Sequence, residues 1–304
     1  MGASGANRVD ETKAASRTRP ALAVMAGAVL LGLSPIGVRL SELGPQATNL
    51  WRFLLALPIL AALAAMERER PSPRQTGWLV FAGLLFGLEL SLWAAALGYT
   101  SVANATLLSN MTPVFAAGFG WLLFREKLTA GVAWGGAAAL AGAVTLALAR
   151  AQAGAGPAAS AQDGWLGDAL GFGSAIGYAG YLMIVRGLGG RVGVGAVMFW
   201  ASLSAAVYAF ALSLALGENL LPRTPRGWAV LVMLGVVVQA GAQGLIAYGV
   251  GRLPIALSTI LLWLQPLAAA ALAWFLFGEK LGPLAFAGAG LILAGVFAVQ
   301  RARA

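Results

Sequence analysis

The sequence predicts an all-α membrane protein in which ten transmembrane helices form two inverted five-helix repeats around a central cavity. Three observations predict this fold class. The 304 residues are 60% hydrophobic and only 10% charged, with a mean hydropathy of +0.81. The apolar residues fall into ten segments long enough to cross a bilayer. The two halves also share an ungapped sequence repeat.

The composition excludes several classes of function. A water-soluble domain carries about a quarter of charged residues, so lipid must face much of this chain. Cysteine and histidine are absent, which removes the usual thiolate nucleophile, proton carrier and metal ligands. We therefore expect no catalytic residue, no metal site and no cofactor. The net charge of +9 comes from Lys and Arg in short groups between apolar runs, which indicates loop charges rather than a nucleic-acid surface.

The ten apolar segments are each roughly 19–25 residues long, the length that crosses about 30 Å of hydrocarbon. The predicted spans are 20–38, 46–66, 75–98, 101–124, 129–149, 165–186, 193–216, 227–250, 254–277 and 281–299. They divide the chain into a cytoplasmic tail 1–19, a first repeat 20–149, an outer linker 150–164, a second repeat 165–300 and a cytoplasmic tail 301–304. A cleaved signal peptide is the competing interpretation of residues 1–40, but this apolar run is long and lacks a convincing small-residue cleavage site.

The distribution of basic residues predicts the orientation of the chain. With the N-terminus inside, 14 of the 20 Lys and Arg residues fall on the inner side and 5 on the outer side. Arg52 lies within a span. Because inner loops carry the excess of basic residues, both termini are predicted to be cytoplasmic.

An internal repeat supports the division into two halves. Residues 103–128 align with residues 256–281 at a constant offset of 153 positions, and the identical pairs include Pro113/Pro266, Trp121/Trp274 and Glu126/Glu279. The repeat places helices 4 and 5 over helices 9 and 10, so the unit has five helices and its second copy is inverted. Inverted repeats are typical of secondary transporters, whose substrate site lies near the bilayer midplane between the repeats.

Three charged residues fall within the spans. Arg52 and Asp168 lie close to the ends of their helices, and the long side chain of Arg52 can extend to the surface there. Glu89 lies about 20 Å from the cytoplasmic end of helix 3. An acidic residue at that depth indicates a functional site by default, although a carboxyl that is hydrogen-bonded inside the bundle is the alternative.

Polar and aromatic residues from helices 1, 3, 4, 6, 8 and 9 reach a similar depth and predict the lining of the cavity. Trp93 shares a helix face with Glu89. Packing or interhelical bonding is the alternative role for the tyrosines, Trp263 and the glutamines. The predicted cavity contains no deep Lys or Arg. The predicted substrate-binding residues are Ser34, Glu89, Trp93, Asn110, Tyr178, Tyr181, Gln239, Gln243, Trp263 and Gln265, with Pro35, Pro113 and Pro266 as gating or kink positions.

Two copies of one motif carry a resemblance to a known family. They read Pro113 to Phe124-Arg125-Glu126-Lys127-Leu128 and Pro266 to Phe277-Gly278-Glu279-Lys280-Leu281, with Trp51-Arg52-Phe53 in helix 2. This pattern resembles the EamA family of the drug/metabolite transporter superfamily, and the aromatic residues make it most similar to the YddG-type aromatic amino-acid exporters. The resemblance implies efflux of amino acids or similar metabolites across a bacterial inner membrane. Arg125 departs from the small residue usual at that position.

Several functions remain open on sequence alone. The first is an exporter of aromatic or other neutral amino acids, and the second is an exporter of cationic drugs that uses Glu89 and Trp93. Sugar-phosphate transport is disfavoured because phosphate needs deep basic groups. A membrane-embedded enzyme and a purely structural subunit fit less well. The exact substrate, coupling to protons through Glu89 as against facilitated diffusion, the oligomeric state and the resting conformation are left undecided.

Overall fold

The structure is a computed structural model that describes residues 18–99, 108–126, 129–152, 164–277 and 282–301. These residues form ten helices and no β-sheet, so the all-helical prediction is confirmed for them. Eight of the helices are long and apolar enough to cross a membrane, and the two shorter ones, α4 and α10, are apolar as well. The helices are α1 Thr18–Leu40, α2 Pro45–Met66, α3 Pro73–Tyr99, α4 Thr112–Phe124, α5 Ala130–Gln152, α6 Gly164–Leu188, α7 Val194–Ala215, α8 Pro225–Val250, α9 Ile255–Leu261 with Leu264–Phe277, and α10 Pro283–Arg301.

Parts of several predictions lie outside the described residues. The tails 1–17 and 302–304, most of the linker 150–164 and the first part of the predicted fourth span are among them. In the repeated motif, Lys127, Glu279 and Lys280 also lie outside.

Simple local signals set the ends of the helices. Proline, which lacks the N–H that a first helical turn leaves unpaired, stands in the first turn of α2, α4 and α8. At the other end of α4, Arg125 adopts the left-handed conformation with φ 53° and ψ 31°, which favours glycine. Its repeat counterpart is Gly278. The unusual arginine therefore sits at a strained helix terminus.

Helices α2 and α7 run antiparallel and cap each other. Glu67 follows the last residue of α2, and its carboxylate accepts hydrogen bonds from the backbone N–H groups of Gly195 at 2.7 Å and Ala196 at 3.0 Å. Glu218, beyond the end of α7, accepts from the N–H groups of Gln46 at 3.3 Å and Ala47 at 2.7 Å. A carboxylate at a helix N-terminus satisfies orphan donors and complements the helix dipole.

Helices α5 and α10 pack closely through glycine. A methyl group at Gly135 would lie 2.8 Å from the carbonyl oxygen of Gly295, and one at Gly142 would lie 2.6 Å from that of Gly288. Contacts this close require glycine, as in other tightly packed membrane helices. The offset of 153 positions relates Gly135 to Gly288 and Gly142 to Gly295, so the two contacts exchange under the repeat. The two helices are therefore antiparallel.

Several helices are interrupted. Helix α1 is broken at Gly32, α4 is preceded by a turn at 110–111, and α9 is broken at 262–263. Each break comes shortly before one of the predicted prolines, Pro35, Pro113 or Pro266. In α8, residues Met233–Ala242 form a π-helix, a rare form that often occurs at functional sites.

Two further carboxylates close helix ends. The Glu126 carboxylate accepts a hydrogen bond from the N–H of Ile255 at 2.9 Å, at the start of α9, and lies 3.3 Å from Arg186. Glu126 therefore caps the first turn of α9. Glu42, in the α1–α2 loop, accepts hydrogen bonds from the Thr224 hydroxyl and the Arg223 N–H before α8. These bonds, that of Thr224 first, lower the pKa of Glu42.

Candidate functional site

Arg52 lies at the centre of a polar cluster, and the prediction that it reaches the membrane surface is wrong. Its side chain is 1% exposed. Its Nε donates to Gln239 Oε1 at 3.0 Å, and one Nη donates to Ser34 Oγ at 3.1 Å. The Gln239 amide in turn donates to Ser202 Oγ at 3.0 Å. The interior therefore contains a basic group, contrary to the prediction of a cavity without Lys or Arg.

We name Ser34, Arg52, Ser202 and Gln239 the Arg52 cluster. It joins α1, α2, α7 and α8, and hence both halves of the chain. Polar atoms in apolar surroundings strongly favour paired arrangements. Both ends of the Gln239 amide are hydrogen-bonded, whereas the second Nη of Arg52 makes no hydrogen bond with a described residue. Arg52 therefore keeps donors for a further partner.

A second group, the Glu89 cluster, consists of Glu89, Ser174, Tyr178 and Gln243 on α3, α6 and α8. Ser174 Oγ donates to Glu89 Oε1 at 3.3 Å. Gly177 allows α6 to approach, because a methyl group there would lie 3.3 Å from Glu89 Cβ. The Tyr178 hydroxyl and Gln243 Oε1 are buried, and neither has a hydrogen-bond partner among the described residues. This second cluster is therefore incompletely paired.

Three aromatic rings connect the two clusters. The Phe86 and Tyr181 rings stack with centroids 4.8 Å apart, and Tyr178 lies 5.8 Å from Tyr181 and 6.1 Å from Phe86. The guanidinium of Arg52 lies 5.9 Å from the centre of the Phe86 ring, within range of a cation–π contact. We call Phe86, Tyr178 and Tyr181 the aromatic group.

Arg52 and Glu89 border the same aromatic group without direct contact. They lie within range of a Coulomb interaction, yet no ion pair joins them in the part of the chain that the structure describes. Water-poor surroundings strengthen such an attraction. The interior thus holds a cation and an acidic group, separated, beside aromatic faces.

The remaining predicted residues lie elsewhere or make no polar contact. Trp263 Nε1 donates to the backbone carbonyl of Asn110 at 3.0 Å, so this pair joins the breaks of α4 and α9. Trp93 and Gln265 are half-buried, and their side chains make no hydrogen bond with a described residue. Of the ten predicted residues, those in contact with the two clusters or the aromatic group are Ser34, Glu89, Tyr178, Tyr181, Gln239 and Gln243.

A cavity of about 260 Å³ lies beside this region, between α2, α7 and α8. It extends from Glu67, at one end of α2, to Met198 and Gly244. Met198 Sδ accepts a hydrogen bond from the Tyr181 hydroxyl at 3.6 Å, so the cavity borders the aromatic group. Its other lining residues are Leu60, Leu63, Met66, Val194, Gly195 and Ala240.

Sequence reasoning missed Arg52, Phe86, Ser174 and Ser202. An arginine within an apolar span is itself a sufficient signal for a functional residue, but its nearness to the helix end favoured a surface position. Phe86 and the two serines carry no signal of this kind, because such residues are common in membrane helices. Their roles depend on which helices become neighbours.

The described residues form ten packed helices around buried polar and aromatic groups, and most of these helices are able to cross a bilayer. Such an arrangement is that of a multi-pass membrane protein. The EamA-like transporter family matches residues 18–148 and again residues 165–301, so its domain occurs twice. The chain belongs to the EamA-like transporter family.

The chain is also similar to two other proteins. An uncharacterized transporter of Archaeoglobus fulgidus is 36% identical over 88 residues, which cover 28% of this chain and 30% of the relative's length. A protein of known crystal structure has a TM-score of 0.80 at 20% identity, covering 93% of this chain and 98% of that chain. The second similarity concerns the fold alone.

Proposed function

We propose that the protein is an inner-membrane secondary transporter that exports amino acids, aromatic or other neutral ones, or related small metabolites by alternating access. The single observation that carries this proposal is the placement of Arg52 and Glu89, separated from each other, beside the aromatic group. A zwitterion presents a carboxylate and an ammonium group, and an aromatic side chain stacks on tyrosine and phenylalanine. The aromatic group also supports the similarity to the YddG-type exporters.

The alternating-access mechanism requires that the ten helices form two inverted halves. Two observations support this arrangement. The repeat counterparts α2 and α7 are antiparallel and cap each other, and the glycine contacts between α5 and α10 exchange under the repeat. The excess of basic residues on one side supports cytoplasmic termini in a bacterial inner membrane.

Export of purely cationic drugs is the alternative, with Glu89 as the cation site. Arg52 opposes it, because a bound cation would be repelled by a buried guanidinium in the same interior. The presence of Arg52 also removes the reason for which phosphate substrates were disfavoured. Glu89 replaces that reason, since its carboxylate would repel a phosphate. A ligand with one charge of each sign satisfies both residues.

The cavity between α2, α7 and α8 supplies a route from the cytoplasmic end of α2 to the aromatic group. Gly244 lines it, and a methyl group there would have no atom within 4 Å apart from its own stretch of helix. Gly244→Leu should therefore obstruct the route without a clash and reduce transport. Gly290→Leu, on α10 with equally open surroundings, is the matched control. Equal transport by the two variants would contradict this route.

Transport in proteoliposomes tests the function directly. Vesicles that contain the full chain should take up labelled phenylalanine, leucine or tryptophan faster than empty vesicles. Glu89→Gln should reduce this uptake, because it removes the partner of the ammonium group, whereas the exposed Glu69→Gln should not. If the intact protein moves none of a panel of neutral amino acids, the proposal is wrong. Movement of permanent cations alone would support the alternative.

A further inference from the structure

Two buried polar atoms in the Glu89 cluster are left without partners. Gln243 is 2% exposed, and its Oε1 has no hydrogen bond with any described residue; the same holds for the buried Tyr178 hydroxyl. Tyr178 and Gln243 are close neighbours across the α6–α8 contact, but no hydrogen bond of normal geometry joins these two atoms. Most buried polar atoms in proteins are paired. An unpaired acceptor at this depth therefore points to a ligand that carries hydrogen-bond donors.

The chemistry of these atoms defines that group. Gln243 Oε1 is an acceptor only, the Tyr178 oxygen accepts through its lone pairs, and an ionised Glu89 carboxylate accepts only. Glu89 lies within electrostatic range of Tyr178, and Ser174 donates a hydrogen bond to one of its carboxylate oxygens. Three acceptors and one negative charge thus come together from α3, α6 and α8.

We propose that Glu89, Tyr178 and Gln243 form a subsite for a primary ammonium group, with Ser174 as the residue that positions the carboxylate. A primary ammonium carries one positive charge and three N–H donors. The number of donors equals the number of acceptors in the subsite. A quaternary ammonium has the charge without donors and leaves Gln243 Oε1 unpaired. This subsite rests on the proposed function in one respect: it is the place where the amino group of the transported amino acid would bind.

Arg52 limits what the subsite accepts. Its guanidinium lies 5.9 Å from the centre of the Phe86 ring and is held by hydrogen bonds to Gln239 and Ser34. An amine without a carboxylate, bound at Glu89, is repelled by the positive charge of Arg52, whereas the carboxylate of an amino acid neutralises that charge. The subsite therefore binds an amine on its own more weakly than the same amine with a carboxylate attached.

Stepwise methylation of an amine tests the subsite without a transport assay. The probes are 2-phenylethylamine and its N-methyl and N,N-dimethyl derivatives, which keep the charge and lose one N–H donor at each step. Binding to the purified full chain in nanodiscs is measured by calorimetry. Each methyl group should weaken binding about tenfold, the usual value of a charge-assisted hydrogen bond. Equal binding of the three amines, or no binding of the parent amine, would overturn the subsite.

A matched pair of variants assigns the effect to Gln243. Gln243→Leu should weaken binding of the parent amine about tenfold and abolish the cost of the first methyl group. Gln46→Leu removes another buried glutamine, one that already bonds with Ser91 at 2.8 Å, and should keep the wild-type pattern. A Gln243→Leu variant with the wild-type pattern would refute the assignment.

The outcomes separate the subsite from the proposed function. Amino-acid transport without any methylation cost would refute the subsite alone. A clear methylation cost in a protein that moves no amino acid would refute the proposed function alone.

Discussion

Two glutamines one turn apart on α8 have opposite surroundings. Gln239 is fully buried and uses both ends of its amide, towards Arg52 and Ser202. Gln243 is almost as deeply buried, yet its oxygen is unpaired. The Arg52 cluster is thus largely closed by the protein's own groups, whereas the Glu89 cluster is open. The difference indicates that Gln239 stabilises the helix packing and that Gln243 is available to bind a ligand.

The open cluster has a cost that the closed one lacks. A buried polar group without a partner destabilises a protein by about 1–3 kcal/mol, and this cost persists only where function requires it. The π-helix of α8 ends at Ala242, so Gln239 lies within the irregular backbone and Gln243 immediately follows it. Four sets of substitutions test this comparison and extend it to the helix ends, in order of decreasing effect.

Arg52→Leu should have the largest effect, because it removes the centre of the closed cluster. Gln239 and Ser34 would lose their partner, and Glu89 would lose its nearby positive charge. We therefore expect the free energy of unfolding to fall by ~3 kcal/mol and transport to be lost. Thermal unfolding in detergent and proteoliposome uptake measure the two. The exposed Arg74→Leu is the control. An Arg52→Leu protein of unchanged stability would show that the cluster contributes nothing to the framework.

Gln239→Leu and Gln243→Leu should act in opposite directions on stability. The first leaves Arg52 Nε and Ser202 without a partner and should cost about 1–3 kcal/mol. The second removes an unpaired oxygen and should leave the unfolding temperature unchanged or raise it, while it reduces uptake. Equal destabilisation by both variants would contradict the distinction between closed and open clusters.

The capping carboxylates of Glu67 and Glu218 extend the comparison to the helix ends, where each carboxylate accepts hydrogen bonds with both oxygens. Glu67→Gln and Glu218→Gln should each lower stability by about 1 kcal/mol, and the double variant by the sum, because the two caps lie at opposite ends of α2 and α7. Glu69→Gln is the control for unfolding measurements. No loss in either variant would show that the caps are not needed.

Glu42 should give the smallest effect, and it depends on pH. Its pKa in the folded protein is lowered from the ordinary 4.5 by the bonds from Thr224 and Arg223. Its contribution is therefore complete above about pH 4.5 and is lost as pH falls through the lowered pKa. Glu42→Gln should flatten the acid limb of the stability profile slightly. An identical profile in the variant would refute this contribution.

Much of the fold follows from sequence because lipid imposes strong rules. Each apolar run must be helical, since the backbone has no water to bond with. All ten predicted spans coincide with described helices within a few residues, apart from the first part of the fourth. The prolines indicated where α1, α4 and α9 break. The π-helix in α8 has no such marker in Met233–Ala242.

The site was predicted less completely, because its chemistry depends on tertiary neighbours. Depth along a helix suggested Glu89, Tyr178 and the two glutamines. The same reasoning misplaced Arg52, since the distance to the helix end says nothing about which helices surround it. Phe86 resembled an ordinary core residue until Arg52 and Tyr181 were found against its ring.

The exchanged carboxylates of α2 and α7 bear on how the chain is made. Glu218 is synthesised long after Gln46 and Ala47, although its carboxylate accepts hydrogen bonds from their backbone N–H groups. During biosynthesis, the first turn of α2 thus enters the bilayer incomplete and is finished only when the end of α7 arrives. Each half therefore supplies a helix cap to the other, and neither half completes all of its own helix termini.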